Sequence, residues 1–119
     1  MPIYFFSGKN QKWKLNGDKL ENKEGLWKSI DSWKFNFRRK DEELFYIENT
    51  STPQKMVLGT RSDGKVIQEV FAEGRADQLW KLGNIDTEGY FTLENHVVPK
   101  FITAISEIDL EIKGNITLT

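Results

Sequence analysis

The chain has 119 residues, a formal net charge of −1 and no cysteine. That length can bury one core without metals or cross-links, so a single domain spanning residues 1–119 is expected. Near-neutrality excludes the clustered positive field that nucleic acid requires, and the missing cysteines exclude disulfides and thiolate chemistry. The one basic run, Arg38-Arg39-Lys40, is followed at once by Asp41-Glu42-Glu43 and reads as a solvated loop.

In chain order the apolar residues come in short alternating runs, and none sustains the spacing of an amphipathic helix. The expected strands are Ile3 to Phe6, Trp13 to Leu15, Lys19 to Asn22, Leu26 to Ser29, Ser32 to Phe37 and Leu44 to Glu48. They continue with Lys55 to Leu58, Lys65 to Phe71, Leu79 to Leu82, Tyr90 to Glu94, Phe101 to Ile105 and Leu110 to Ile112. The chain is therefore expected to be all-β with about twelve short strands. Asn16-Gly17-Asp18, Asp63-Gly64, Glu88-Gly89 and Lys113-Gly114-Asn115 supply turns between them.

Repetition is the strongest signal. Every tryptophan is followed by lysine, and Trp13-Lys14-Leu15, Trp33-Lys34-Phe35 and Trp80-Lys81-Leu82 read as one element used three times. Each is followed by [Leu/Ile]-Glu-Asn: Leu20-Glu21-Asn22, Ile47-Glu48-Asn49 and Leu93-Glu94-Asn95. The glutamates lie eight, fifteen and fourteen residues beyond their tryptophans, so the first copy is shortened. A unit repeated in this way cannot bury its apolar face alone, and three of them closing on one another remove the open sheet edges. The three indoles are then expected to meet inside, each N–H on a backbone carbonyl. Gln11, Asp31 and Gln78, two residues before these tryptophans, are placed to satisfy backbone groups at the turn into the strand. Recurrence of Glu21, Glu48 and Glu94 suggests a shared structural role instead of an acid/base pair.

The frames Gln11-x-Trp13 and Gln78-x-Trp80, with Ile67-Gln68-Glu69-Val70-Phe71 ahead of the second, resemble the ricin-type β-trefoil family of carbohydrate-binding domains. The likeness is strongest from Ser32 to Ala104. It implies a β-trefoil with pseudo-threefold symmetry and a shortened first lobe, acting as a lectin on glycans with no cofactor, no metal and no catalysis. By the same resemblance Gln68, Phe71, Asp77 and Gln78 map to the binding surface, with Arg61 and Asp63 on the adjoining loop. Asp77 and Gln68 would bond hydroxyls and Phe71 would lie under the sugar ring. Asn84, Asp86 and Tyr90 form a fallback site.

Two departures stand out. The family's galactose-binding members carry an Asp where this chain has Leu58-Gly59 and Thr103-Ala104, and their stacking aromatic falls near Val70. Shallow sites of this type have dissociation constants of about 1 mM, so useful avidity implies several lobes or a homodimer engaging together. The alternative is a protein-binding trefoil such as a protease inhibitor, with loops stiffened by Pro53 and Pro99.

The inventory for catalysis is poor: His96 is the only histidine and is expected in an exposed loop, and the glycines are scattered turn residues with no phosphate loop among them. The opening residues have no basic residue before their short apolar run, so no signal peptide is expected, and no stretch nears the roughly 18 apolar residues of a membrane span. A cytoplasmic location without membrane insertion follows as the expectation, and the absence of cysteine is compatible with secretion too.

Overall fold

The computed structural model describes residues 4–7, 11–24, 34–60, 65–98 and 101–103. These residues are all-β and antiparallel, with one short 3-10 turn at Ala76–Gln78. The strands are β1 (Tyr4–Ser7), β2 (Trp13–Asn16), β3 (Lys19–Asn22), β4 (Phe35–Arg39), β5 (Leu44–Asn49), β6 (Met56–Thr60), β7 (Lys65–Val70), β8 (Trp80–Leu82), β9 (Leu93–Asn95) and β10 (Phe101–Thr103). The expected strands at Leu26 to Ser29 and Leu110 to Ile112 lie outside the described residues.

Hydrogen bonding runs in the order β5, β6, β7, β1, β10, β9, β8, and β8 pairs back onto β5. The sheet thus closes on itself, which removes free backbone edges along that circuit. β4 extends from β5, and β2 pairs with β3 in a separate hairpin.

Three hairpins share one register. Trp13 faces Asn22, Phe35 faces Asn49 and Trp80 faces Asn95. One step along, Lys14 faces Glu21, Asn36 faces Glu48 and Lys81 faces Glu94. The three asparagines are buried, and each accepts on Oδ1 from the backbone N–H two residues later, at Glu24, Ser51 and Val97, over 2.9–3.0 Å. This side-chain turn stops each strand at the same place, because Asn can imitate a backbone acceptor. Their Nδ2 groups donate to Gln11 Oε1, Gln68 Oε1 and the Asp77 carbonyl.

The hairpins also engage one another in a cycle. Trp13 exchanges backbone bonds with Phe91, Phe35 N–H donates to the Asp18 carbonyl, and Trp80 pairs with Phe45. Asp18, Phe45 and Phe91 each lie two residues before the apolar residue of their own Leu/Ile-Glu-Asn stretch. One core results: Trp13, Phe35 and Trp80 pack with Leu20, Ile47 and Leu93 and with Leu58, Val66, Phe91 and Ile102.

Both indoles are fully buried, and their Nε1 groups donate to the carbonyls of Ile102 and Leu58 at 3.1 and 2.9 Å, as the repeat implies. The second copy differs from expectation. The residue in register with Trp13 and Trp80 is Phe35, two positions beyond Trp33, which itself lies outside the described residues. The equivalent element is Phe35-Asn36-Phe37, and among the described residues Phe35 fills the third core position.

Candidate functional site

β6 and β7 form a hairpin followed by a loop that turns at Gly74, with a φ of 86°, and then by the Ala76–Gln78 turn leading into β8. Gln78 fixes this loop. Its side chain is fully buried, its Nε2 donates to the Val70 carbonyl and to Glu69 Oε1 at 3.0 Å each, and its Oε1 accepts from Ala72 N–H at 3.0 Å. Gln68 is buried as well, with its Oε1 held by Asn49 Nδ2 at 2.7 Å. Neither glutamine is therefore a ligand-facing group, and the expectation that both bind sugar is corrected: their amides satisfy buried backbone and side-chain partners. Gln78 does perform the expected service at the turn, and Gln11 Oε1 accepts from Asn22 Nδ2.

Phe71 is also unsuited to carry a sugar ring. It packs edge-on against buried Tyr46, with ring centroids 5.0 Å apart, and the Arg38 guanidinium and Lys55 ammonium lie 4.9 and 5.2 Å from its centroid. Arg38 belongs to β4, so the first residue of the basic run is a stacked strand residue and not part of a solvated loop. Its Nε donates to Glu48 Oε2 at 2.6 Å, and its buried Nη2 has no hydrogen-bond acceptor among the described residues. Stacking over two aromatic rings compensates for that in part.

Asp77 is partly exposed on the short turn. Arg75 grips it with Nε at 2.9 Å and Nη2 at 2.8 Å, and the same Nη2 reaches Glu69 Oε1 at 3.3 Å. The hydrogen bonds that Arg75 donates to Asp77 raise its guanidinium above its ordinary range, with the charges of Glu69 and Asp77 assisting against desolvation. The Glu69 carboxylate lies directly over Gly59, so that a Cβ at Gly59 would collide with its Oε1. Beside it Val70 is half exposed. Glu69, Arg75 and Asp77 thus form a partly open carboxylate–guanidinium–carboxylate row at the end of β6 and β7, over bare glycine backbone. Arg61 and Asp63 lie outside the described residues.

Glu69 is the residue that sequence reasoning passed over. The missing Asp was sought at Leu58-Gly59 on β6, whereas a carboxylate arrives over the same spot from the adjacent strand, where Glu69 pairs with Val57.

The fallback residues separate in space and role. Asp86 Oδ1 accepts from the N–H groups of Glu88 and Tyr90 at 2.9 Å each, and its Oδ2 accepts from Lys23 Nζ at 3.3 Å. The Tyr90 N–H is the main cause that brings the Asp86 carboxyl down to about 2; burial opposes it, and the Glu88 N–H and Lys23 add to it. Lys14 and Lys23 stand over the Tyr90 ring at 5.2 and 5.3 Å. Asp86 and Tyr90 therefore tie the loop between β8 and β9 to the first hairpin, and Asn84 lines a different cleft.

His96 is exposed, as expected, at the mouth of a cleft of about 600 Å³ that it shares with Asp41, Glu42, Glu43, Leu44 and Lys81. Among the described residues no group of three or more His, Asp or Glu side chains is arranged to hold a metal, and no helix is long and apolar enough to cross a membrane.

No protein-family model matches the chain, and neither a curated protein nor a solved structure matches it.

Proposed function

We propose that this chain is a carbohydrate-binding β-trefoil of the ricin type, a lectin that grips glycan hydroxyls at the Glu69–Arg75–Asp77 row. Support for the trefoil comes from the shared hairpin register, the cyclic contacts of Trp13, Phe35 and Trp80, and the closed strand circuit. Support for the site rests on one observation: the Glu69 carboxylate stands over Gly59, where the resemblance calls for an acidic group, and Arg75 links it to Asp77.

The chemistry suits sugar. A carboxylate has about four lone-pair sites, and Asp77 gives only two to Arg75, so both acids keep acceptors for adjacent hydroxyls. Arg75 pre-orients them, which lowers the entropy lost when a ligand is ordered. Affinity per site is expected at the weak end, about 1 mM, and multivalent display raises it.

A glycan array read alongside Asp77→Ala and Gly59→Ala tests the proposal. Asp77→Ala should abolish binding with little change in melting temperature. Gly59→Ala should do the same by pushing aside the Glu69 carboxylate, the flexible end of a side chain. Absence of any glycan signal together with tight inhibition of serine or cysteine proteases would replace this reading with the protease-inhibitor one.

A further inference from the structure

The third hairpin carries an open cleft of about 270 Å³ on its outer face, remote in role from the row at Asp77. Lys81 on β8 pairs with Glu94 on β9, and Glu94 pairs with Phe101 on β10. Directly paired residues share a face of the sheet, so these three side chains form one row. The neighbours Trp80, Leu93, Asn95 and Ile102 are buried on the other face. Gly83, one step beyond Leu82, contributes bare backbone, and the Thr92 hydroxyl occupies the space that a Cβ at Gly83 would need. Asn84 stands at the lip.

Among the described residues the side chains of Lys81, Asn84, Thr92 and Glu94 make no hydrogen bond or ion pair. The second hairpin explains why a cleft exists here at all. There Glu48 occupies the place of Glu94, Arg38 that of Gly83 and Tyr46 that of Thr92, as the shared register requires. Arg38 reaches across Tyr46 and closes on Glu48. Gly83 and Thr92 remove both filling groups and leave the carboxylate facing solvent.

We propose that this cleft is a second carbohydrate subsite, which holds one neutral hexose ring with Glu94 accepting from its hydroxyls, Thr92, Asn84 and Lys81 donating, and Phe101 forming the apolar side. The inference rests on the glycan-binding reading and adds a second position to it. The volume lies near the lower end of the roughly 300–1,000 Å³ of ligand pockets, which suits a single ring. Donors of two kinds and an ionised acceptor beside an aromatic edge match a polyol better than an anion, which Glu94 would repel, or an apolar ligand, which would strand four polar groups without water. Two subsites on one chain would supply the avidity that weak single sites need.

The test is titration of the ¹⁵N-labelled chain with free glucose, galactose, mannose and N-acetylglucosamine at millimolar concentration, read by amide shifts. At least one hexose should perturb two groups of amides, one around Glu69 to Asp77 and one around Lys81 to Glu94. Glu94→Gln should weaken the second group about tenfold and leave the first unchanged, the effect of losing a charge-assisted hydrogen bond. Gly83→Arg, which restores the filling residue of the second hairpin, should remove the second group of shifts. Perturbation confined to Glu69 to Asp77, or shifts around Lys81 to Glu94 that survive both substitutions, would overturn the subsite and leave the function standing. Silence at both places for every sugar would overturn the two together.

Discussion

In the hairpin of β4 and β5, Glu48 accepts from Asn36 Nδ2 at 3.1 Å and from Arg38 Nε at 2.6 Å, with Lys55 3.9 Å away; in the hairpin of β8 and β9, Glu94 sits at the same rung of the ladder with no partner among the described residues. The difference lies one residue pair away, where Arg38 and Tyr46 are replaced by Gly83 and Thr92. Identical backbone register therefore serves two ends. One hairpin uses its acid to brace a cation against Tyr46 and Phe71, and the other presents it. A shared structural role for Glu21, Glu48 and Glu94 does not follow from their shared position, since only Glu48 among the three has side-chain partners within the described residues.

At their roots the two hairpins should behave alike. Trp80→Ala and Phe35→Ala each empty a fully enclosed site in the same core, and each should cost about 3–5 kcal/mol in denaturant unfolding. If Phe35→Ala proved mild while Trp80→Ala did not, the second hairpin would not carry a core position equivalent to the third, and the comparison would break at its base.

The acids themselves should separate the hairpins next. Glu48→Ala leaves the Arg38 guanidinium without its carboxylate in a half-buried place, and should cost about 1–3 kcal/mol. Glu94→Ala, with no partner to lose, should stay within about 0.5 kcal/mol. Equal losses would mean that Glu94 has an internal role after all, and would remove the ground for a ligand at its rung.

How much of this was legible in the sequence depends on what each residue type can signal. The repeated Leu/Ile-Glu-Asn stretches and the buried indoles at Trp13 and Trp80 were readable because alternation and large aromatic residues leave few placements. The frame of the second copy was misread for a related reason. Trp33 and Phe35 differ by two residues, and in a strand a shift of two keeps the same face, so alternation cannot choose between them. Cross-strand register to Asn49 does choose, and register is set by the opposite strand. At the site, Gln68 and Gln78 looked like surface groups because an amide in a strand or a turn serves a buried clamp and an exposed contact equally well. Asp77 was singled out because it lies on a turn between two recognisable strands. Glu69 was not, because its carboxylate comes over Gly59 from the neighbouring strand, a neighbourhood in space that linear comparison does not register.

The smallest effect concerns how each hairpin is anchored, and pH can read it. The second hairpin holds Glu48 within itself, while the third sends Asp86 outward to Lys23 of the first hairpin. Burial would raise the Glu48 carboxyl, but hydrogen bonds from Arg38 and Asn36 and the charges of Arg38 and Lys55 bring it below its ordinary value. Asp86 lies at about 2 against an ordinary 3.8. Both acids are depressed in the folded state, so each stabilises fully above its unfolded value and loses that contribution as pH falls through the folded one. For Asp86 the loss should fall between pH 3.8 and about 2. Asp86→Asn keeps an oxygen for the Glu88 and Tyr90 N–H groups but no longer titrates, so its stability should fall less steeply across that window than the parent's, measured by urea midpoints in successive buffers. Glu48→Gln should also soften the acid limb, with its change beginning nearer the ordinary glutamate value of 4.5. An Asp86→Asn profile parallel to the parent's throughout would show that the Asp86 charge, held by the Tyr90 and Glu88 N–H groups and by Lys23, adds nothing to folding.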